Sequence, residues 1–405
     1  MSVIILDLFG ASGGVGRCTR EILRKLKAER VPTMLCGQSH VVDSFRDDQQ
    51  ASLNFRFENL EKPALSLKSL RIKLASKYKS RFTRLADLLL QETMKAAYVR
   101  ESCLPTPILV NYPQMISPPA TPRNFCVFLH DLNWRLYPGN FKDPGQTDRN
   151  CRGWVERASK VITNSEHTRD EVIEHYQCAS DKVVAAPLSP FGERIFQDFD
   201  ASKYLASLGL VAGHFYLFPG VWGLHKGHDA LTDAIEMSQS AGPVVVTCGM
   251  PLDRITGSTA AVAAKRNSLA SRWDKLIAEK KLVVVGGVSE PEMQALRAGC
   301  RAYVLPSQYE GFGFPLIEAI YHHRPALVSD IKAHREILNR YPQYKLATLF
   351  PPDSAGALTM ELNRFSHEGV QMPADWQKKI EATWSWKNTI QRILSTLTSA
   401  AVLRQ

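Results

Sequence analysis

The densest cluster of chemistry-bearing residues is Pro306-Ser307-Gln308-Tyr309-Glu310-Gly311-Phe312-Gly313-Phe314-Pro315, with a second carboxylate at Glu318. Gly311 and Gly313 permit close backbone approach and Pro315 suits a first helical turn, so the pattern predicts a helix N-terminus able to receive diphosphate oxygens. Seven residues separate Glu310 from Glu318, which puts one carboxylate at the loop entrance and the other in the first turn. Glu318 lies among Leu316, Ile317, Ala319 and Ile320, where a carboxylate is costly unless something donates hydrogen bonds to it. A ribose diol would donate them. The competing reading is a carboxylate that only complements the helix dipole.

A second glycine-rich stretch, Gly10-Ala11-Ser12-Gly13-Gly14-Val15-Gly16-Arg17, follows an apolar segment and precedes a helical pattern with Ile22, Leu23 and Leu26 on one face. Gly14 and Gly16 would let a phosphate or sugar approach the backbone. The same stretch fits a nicotinamide dinucleotide fingerprint. That reading expects an acidic residue near the end of the second strand, yet Thr33-Met34-Leu35-Cys36 is followed by Gly37-Gln38-Ser39-His40. A Tyr-x-x-x-Lys at Tyr341–Lys345 contains Pro342, which spoils the helix that would align the pair. An NAD-dependent dehydrogenase is thus demoted and stays an alternative. Lys226 precedes a helical pattern carrying Leu231, Ala234 and Ile235. It reads either as a solvated lysine or as a cation whose partner is a departing diphosphate rather than a protein carboxylate. His130 ends an apolar strand, the ordinary place for a core histidine. Asp198-Phe199-Asp200 has no apolar strand leading into it and reads as a linker loop. His225 and His228 lack a third ligand, so no metal and no cofactor are expected.

These residues need a scaffold, and the alternation of short apolar runs with longer helix-period segments predicts parallel sheets wound with helices. Strand candidates are Val3–Leu8, Pro32–Cys36, Ile108–Asn111, Phe125–Leu129, Lys160–Asn164 and Lys182–Ala186, then Phe215–Phe218, Val244–Cys248, Leu282–Val285, Ala302–Leu305 and Ala326–Ser329. Between the two series Pro187-Leu188-Ser189-Pro190-Phe191-Gly192 interrupts both patterns and marks a linker. A length of 405 residues suits two lobes. The expected division is an N-terminal Rossmann-like domain over 1–190 and a C-terminal one over 191–384. A helix at about 385–405, spaced by Ile390, Ile393, Leu394 and Leu397, is expected to fold back onto the first.

The run from Glu310 to Ala319, with Arg324-Pro325-Ala326-Leu327-Val328-Ser329 behind it, closely resembles the signature of the family-4 retaining glycosyltransferases. Further stretches resemble that family in the same order: Gly13–Arg17, His130-Asp131 with Leu136-Tyr137-Pro138, Val161–Glu166, Phe218-Pro219-Gly220 and His225-Lys226-Gly227. The spacing is most similar to bacterial polysaccharide mannosyltransferases. The resemblance implies an α/β fold of GT-B architecture, two Rossmann-like domains with parallel sheets facing across a cleft. It implies a nucleotide-sugar donor and a glycan or lipid-linked acceptor, in the synthesis of cell-surface polysaccharide such as lipopolysaccharide. Glu318 would bind the donor ribose, Glu310 would meet the transferred sugar, and the amides of Gly311, Phe312, Gly313 and Phe314 would hold phosphate. Lys226 would neutralise the diphosphate, His130 would lie beside the reacting sugar, and Gly14, Gly16 and Gly220 would line the donor. Val288 and Ser289 would fall in the base-contacting loop, although Ser289 and Glu292 also make a capping box. Val221 and His225 stand where many relatives have arginine, which places more of the diphosphate charge on Lys226. A hydrolysing sugar-nucleotide epimerase shares the architecture, and a nonenzymatic nucleotide-sugar-binding subunit is a further alternative.

A net charge of +10 favours an anionic partner without choosing one. Lys62 to Arg84 carries eight basic residues and no acidic one, with Leu70, Leu74, Tyr78 and Phe82 forming an apolar stripe. The segment reads either as a surface helix packed on its own lobe or as an interfacial helix on anionic lipid. No nucleic-acid module is recognisable. Eight singly scattered cysteines, no signal peptide and no membrane-length apolar run lead to an expectation of a cytoplasmic protein, peripheral on the inner face of the membrane if the basic segment binds it.

Overall fold

Apolar runs too short for helices become buried parallel strands. The computed structural model describes residues 3–7, 13–37, 55–59, 107–115, 117–118, 125–191, 199–220, 222–238, 244–249, 259–364 and 371–402. Lys62–Arg84 lies outside the described residues, as do Gly10–Ser12, Asp198 and Val221.

The chain divides into two compact units: Met1–Leu132 with Gly145–Leu188 and Trp386–Gln405, and Asn133–Pro144 with Ser189–Ser385. Asn133–Pro144 therefore goes with the second unit, although it lies inside the 1–190 span that the sequence reading gave to the first.

In the first unit the described strands are β1 (Val3–Asp7), β2 (Thr33–Gly37), β3 (Phe55–Asn59), β4 (Ile108–Asn111), β5 (Phe125–Leu129), β6 (Lys160–Thr163) and β7 (Val183–Ala185). They form one sheet in the order β3-β2-β1-β4-β5-β6-β7. Its pairs are parallel, with Ile4 opposite Ile108 and Asp7 opposite Asn111. In the second unit β8 (Phe215–Pro219), β9 (Val244–Cys248), β10 (Leu282–Val285), β11 (Ala302–Leu305), β12 (Ala326–Ser329) and β13 (Ala347–Phe350) make a parallel sheet in the order β10-β9-β8-β11-β12-β13. Each sheet reverses its winding once, between β1 and β4 and between β8 and β11. At such a point the helices leave on opposite faces and a crevice opens beyond the carboxyl ends of the strands, where ligands bind in this class of sheet.

Eleven of these strands coincide with the expected runs to within a residue or two at each end; β3 and β13 were missed. Both are edge strands of their sheets. Phe55-Arg56-Phe57-Glu58-Asn59 interleaves charge with aromatic residues, and in β13 Ala347 and Thr348 are half-buried and Leu349 is exposed, so neither shows the continuous apolar run of a central strand.

The helix Trp386–Val402 packs in the first unit against the helix Gly13–Ala28 and beside β5 and β6. It buries Ile390, Ile393, Leu397 and Ala400. Thr389 Oγ1 donates to the Pro187 carbonyl at 2.7 Å and Arg392 Nη1 to that of Ala185 at 3.1 Å. Cys18, Cys126, Cys151, Cys178, Cys248 and Cys300 are free thiols. Burial pushes Cys126, Cys151, Cys248 and Cys300 up to about 12, which leaves them as inert small hydrophobes. Among the described residues no helix is long and apolar enough to cross a membrane.

Candidate functional site

The loop after β11 ends at Gly313 (φ +102°), and the helix Phe314–Tyr321 starts with Pro315 in its first turn. A methyl group at Gly313 would press on Ile337 Cδ1 at 3.2 Å and His334 Cδ2 at 3.3 Å, so both backbone conformation and close packing require glycine there. Within the loop, Ser307 Oγ donates to Glu310 Oε1 at 2.7 Å. Lys226 Nζ donates to both carboxylate oxygens, at 2.7 and 2.9 Å. This corrects the expectation that Lys226 has no protein carboxylate as partner. Burial works against the Glu310 charge, but Lys226 and the Ser307 hydroxyl outweigh it and hold the carboxyl down at about 2. Glu310 therefore stays an ionised acceptor across the physiological range.

Lys226 is held in place by its own loop. A short turn, Leu224–Lys226, follows β8 and passes through Gly227 (φ +71°) into the helix His228–Met237. A methyl at Gly227 would overlap the Pro306 carbonyl, so glycine alone lets this turn lie against the loop after β11. Gln308 N–H donates to the His225 carbonyl at 2.8 Å, and Leu224 N–H to Asn140 Oδ1 at 2.9 Å. The Asn140 and Asn133 amide nitrogens lie 3.1 and 3.3 Å from His225 Nδ1, which accepts. Burial, and then Lys226 beside it, lower His225 to about 3, so the ring stays neutral and keeps that lone pair. The loops after β8 and β11 are thus cross-linked around the Lys226–Glu310 pair. His228 instead packs among Phe218, Trp222 and Trp273, and it is also lowered to about 3, by burial first. The two histidines do different jobs, as a metal pair would not.

Glu318 is buried in the first turns of its helix, and its donor is Arg297, a residue the sequence reading did not single out. Arg297 Nη2 reaches Glu318 Oε1 at 3.0 Å and Nη1 reaches Glu290 Oε1 at 2.9 Å, with the Arg297 and Glu318 side chains 5% and 7% exposed. Burial opposes the guanidinium charge, but the two carboxylates hold it well above its ordinary range. The protein itself, rather than a ribose or the helix dipole alone, supplies one charged donor to Glu318. A signal was present: on the helix Glu290–Gly299, Arg297 stands beside Leu296 on the buried face, seven residues after Glu290 and hence two turns along the same side.

At the start of that helix Ser289 N–H and Oγ both donate to Glu292 Oε2 at 2.6 Å, so the capping box is present and Ser289 is exposed beside half-buried Val288. Gly220 gives its N–H to Cys248, and a methyl there would meet nothing within 4 Å, so sterics do not demand glycine at that position. Asp200 caps the helix Ala201–Ser207 through Lys203 N–H at 2.9 Å, which accounts for half of the Asp-x-Asp look-alike. Tyr341 follows the helix Lys332–Arg340, so Tyr341 and Lys345 share no helix.

In the first unit Gly14 and Gly16 lie inside the helix Gly13–Ala28 rather than in a loop before it, a correction to the expected glycine loop. His130 follows β5 and is 5% exposed. Its Nε2 lies 2.7 Å from Asn111 Oδ1, Phe128 stacks on it at 4.6 Å, and Asn164 Nδ2 donates to its carbonyl at 2.8 Å.

Residues 211–383 match the sequence model of the family described as Glycosyl transferases group 1. The chain is 24% identical over 226 residues to the O-antigen chain mannosyltransferase RfbU of Salmonella typhimurium, across 55% of this chain and 56% of that protein. It is 27% identical over 197 residues to the O-antigen chain mannosyltransferase C of Escherichia coli, across 48% and 46%. The chain thus aligns over about half the length of these curated relatives. Among solved structures, a glycosyltransferase from Rickettsia africae superposes with a TM-score of 0.66 at 15% identity, over 100% of this chain and 99% of that one. Anabaena Alr3699/HepE in complex with UDP and glucose superposes at 0.69 with 16% identity, over 98% and 100%. At such identities the likeness is one of fold, and the fold is GT-B.

Proposed function

We propose that the protein, whose residues 211–383 match the model of the group 1 glycosyl transferases, transfers a hexosyl group, mannose favoured, from a nucleoside diphosphate sugar to a hydroxyl of a glycan or lipid-linked acceptor. Transfer proceeds with retention at the anomeric carbon and serves cell-surface polysaccharide synthesis. The names of the relatives, O-antigen chain mannosyltransferases, support the choice of sugar and setting. The observation that carries the reading is the Lys226–Glu310 pair at the N-terminus of the helix Phe314–Tyr321.

When the bond from the anomeric carbon to the diphosphate breaks, negative charge gathers on the leaving oxygens. An ammonium and a helix N-terminus fixed beforehand beside those oxygens stabilise that charge without reorganising. Lys226 supplies the cation, and the amides of Gly311 to Phe314 supply dipoles. Glu310, held ionised, accepts hydrogen bonds from hydroxyls of the transferred sugar. Glu318, ion-paired with Arg297, accepts from the ribose hydroxyls, and the Val288–Ser289 segment meets the base. Gly220 adds a donor contact, and no metal takes part.

The purified chain, screened by thermal shift against nucleoside diphosphates and their sugars, should be stabilised by one donor class. With that donor and a polysaccharide acceptor it should form a product of retained configuration, in excess EDTA as without it. Lys226→Ala should lower turnover and, because it leaves Glu310 buried without its cation, the melting temperature as well. Free sugar released with or without acceptor would point to donor hydrolysis, and donor binding without turnover to a binding subunit.

A further inference from the structure

The segment Asn133–Pro144 goes with the second unit and rests on the connections that follow three of its strands, β8, β9 and β11. Tyr137 donates its hydroxyl to Gln308 Oε1 at 2.7 Å, in the loop after β11. Thr259, which caps the helix Ala260–Ala278 that follows β9, donates to the Gly139 carbonyl. Trp134 is buried and meets Phe141 edge-on. These contacts seat Asn140 against the Leu224–Lys226 turn after β8.

The direction of every hydrogen bond at Asn140 follows from one of them. Leu224 N–H can only donate, so the amide atom that meets it at 2.9 Å is Oδ1. Nδ2 then lies 3.1 Å from His225 Nδ1 and 3.3 Å from Asn133 Oδ1, and it donates to both. That contact turns the Asn133 amide so that its own Nδ2 faces His225 Nδ1 at 3.3 Å. Two donors on one ring nitrogen leave no proton on it, so neutral His225 carries its proton on Nε2. The turn has Gly223 and Gly227 at its two ends, and neither restrains the backbone as a side chain would. Its direction is therefore set from outside, by Gln308 on the His225 carbonyl and by Asn140 on the Leu224 N–H and the His225 ring.

We propose that Asn140 is a positioning residue: by holding both the Leu224 N–H and the His225 ring, it keeps the Lys226 ammonium beside Glu310, where a diphosphate is received. The inference rests on the site reading above, in which Lys226 neutralises that diphosphate. In this role Asn140 acts through the lysine and touches no substrate. Without it the backbone amide and the ring nitrogen lose their partner, and the glycine-flanked turn carries the cation away from its place.

Calorimetry on the full chain with UDP, GDP and ADP, using whichever binds wild type most tightly, reads the effect in a double-mutant cycle. Asn140→Ala should weaken binding about tenfold in the wild-type background, the worth of one hydrogen bond. In the Lys226→Ala background it should add no loss, because the residue it acts through is gone. Equal losses in both backgrounds overturn the proposal, and so does a lowered melting temperature with binding intact. Nitrogen-15 NMR with labelled histidine tests the clamp without a ligand, His225 being assigned by the signal lost in His225→Gln. Wild type should show Nε2 protonated and Nδ1 bare at pH 7; a proton on Nδ1 overturns the proposal. Asn140→Asp keeps the acceptor for Leu224 and serves in this measurement if Asn140→Ala does not fold. Its second oxygen should draw a proton onto Nδ1, and an unchanged ring would show that residue 140 does not hold it. Failure of wild type to bind any of the three nucleotides would defeat the site reading, and with it the role given to Asn140. Normal binding with additive losses would retire this inference alone.

Discussion

Glu318 and Arg297 show what a buried charge requires at the scale of single residues. A carboxylate and a guanidinium removed from water cost several kcal/mol each, and removing one partner leaves the other uncompensated. Arg297→Met is therefore expected to destabilise the fold by about 3–5 kcal/mol in denaturant titrations. Glu318→Gln keeps the shape, leaves Glu290 on the arginine and weakens nucleoside diphosphate binding about tenfold, since charged acceptors make the stronger bonds. Unchanged affinity in calorimetry would take Glu318 out of the donor site. The buried histidines make a second residue-scale prediction. Burial lowers His130 to about 4 and His228 to about 3, whereas both sit near 6.5 in the unfolded chain. The unfolded state binds more protons in between, so their contribution is full above pH 6.5 and falls as the pH drops toward 4 and 3, by up to about 1.4 kcal/mol per pH unit for each. Glu310, at about 2 against an ordinary 4.5, adds a loss only between those lower values. Urea midpoints should fall from pH 7 to pH 5, and a flat profile would contradict the buried neutral rings.

At the scale of elements the site depends on turns that bring two loops together. Gly227→Ala combines a left-handed backbone with overlap on the Pro306 carbonyl. It should cost at least about 3 kcal/mol and displace Lys226, with turnover falling in parallel. Gly209→Ala is the control, because its φ of +68° is similar but a methyl meets nothing within 4 Å. That variant should cost only about 1–2 kcal/mol. Equal costs in the two variants would refute the close-packing argument. The helix Trp386–Val402 belongs to the first unit although it ends the chain. It buries Ile390, Ile393 and Leu397, each worth about 1.5–3 kcal/mol, in a fold whose whole margin is about 5–15 kcal/mol. Truncation after Ser385 should abolish the melting transition of the first unit in calorimetry while nucleotide binding by the second remains. A truncated chain with both transitions intact would contradict that dependence.

At the scale of the whole molecule the charge is unevenly placed. The net +10 includes eight basic residues between Lys62 and Arg84, a segment outside the described residues. Attachment to anionic lipid, at about 1 kcal/mol per basic residue near the surface, would bring the enzyme to a lipid-linked acceptor. Sedimentation with vesicles should show binding to anionic lipid that weakens with salt and with Lys73, Lys77 and Arg81 changed to Glu. Equal binding to neutral vesicles, or none to either, would retire the membrane role.

The parallel strands and the loop–helix that carries Glu310 and Glu318 were legible in the sequence itself, because short apolar runs, glycine and proline act locally and leave a local trace. The edge strands β3 and β13 were not, since a strand paired on one side needs no continuous apolar run. The partners of the charged residues were also decided only by the tertiary structure. Lys226 and Glu310 are 84 positions apart, Arg297 and Glu318 are 21, and Asn111 and His130 are 19. A charge reveals in sequence that it must be satisfied, but what satisfies it depends on which strand ends the winding of the sheet brings side by side.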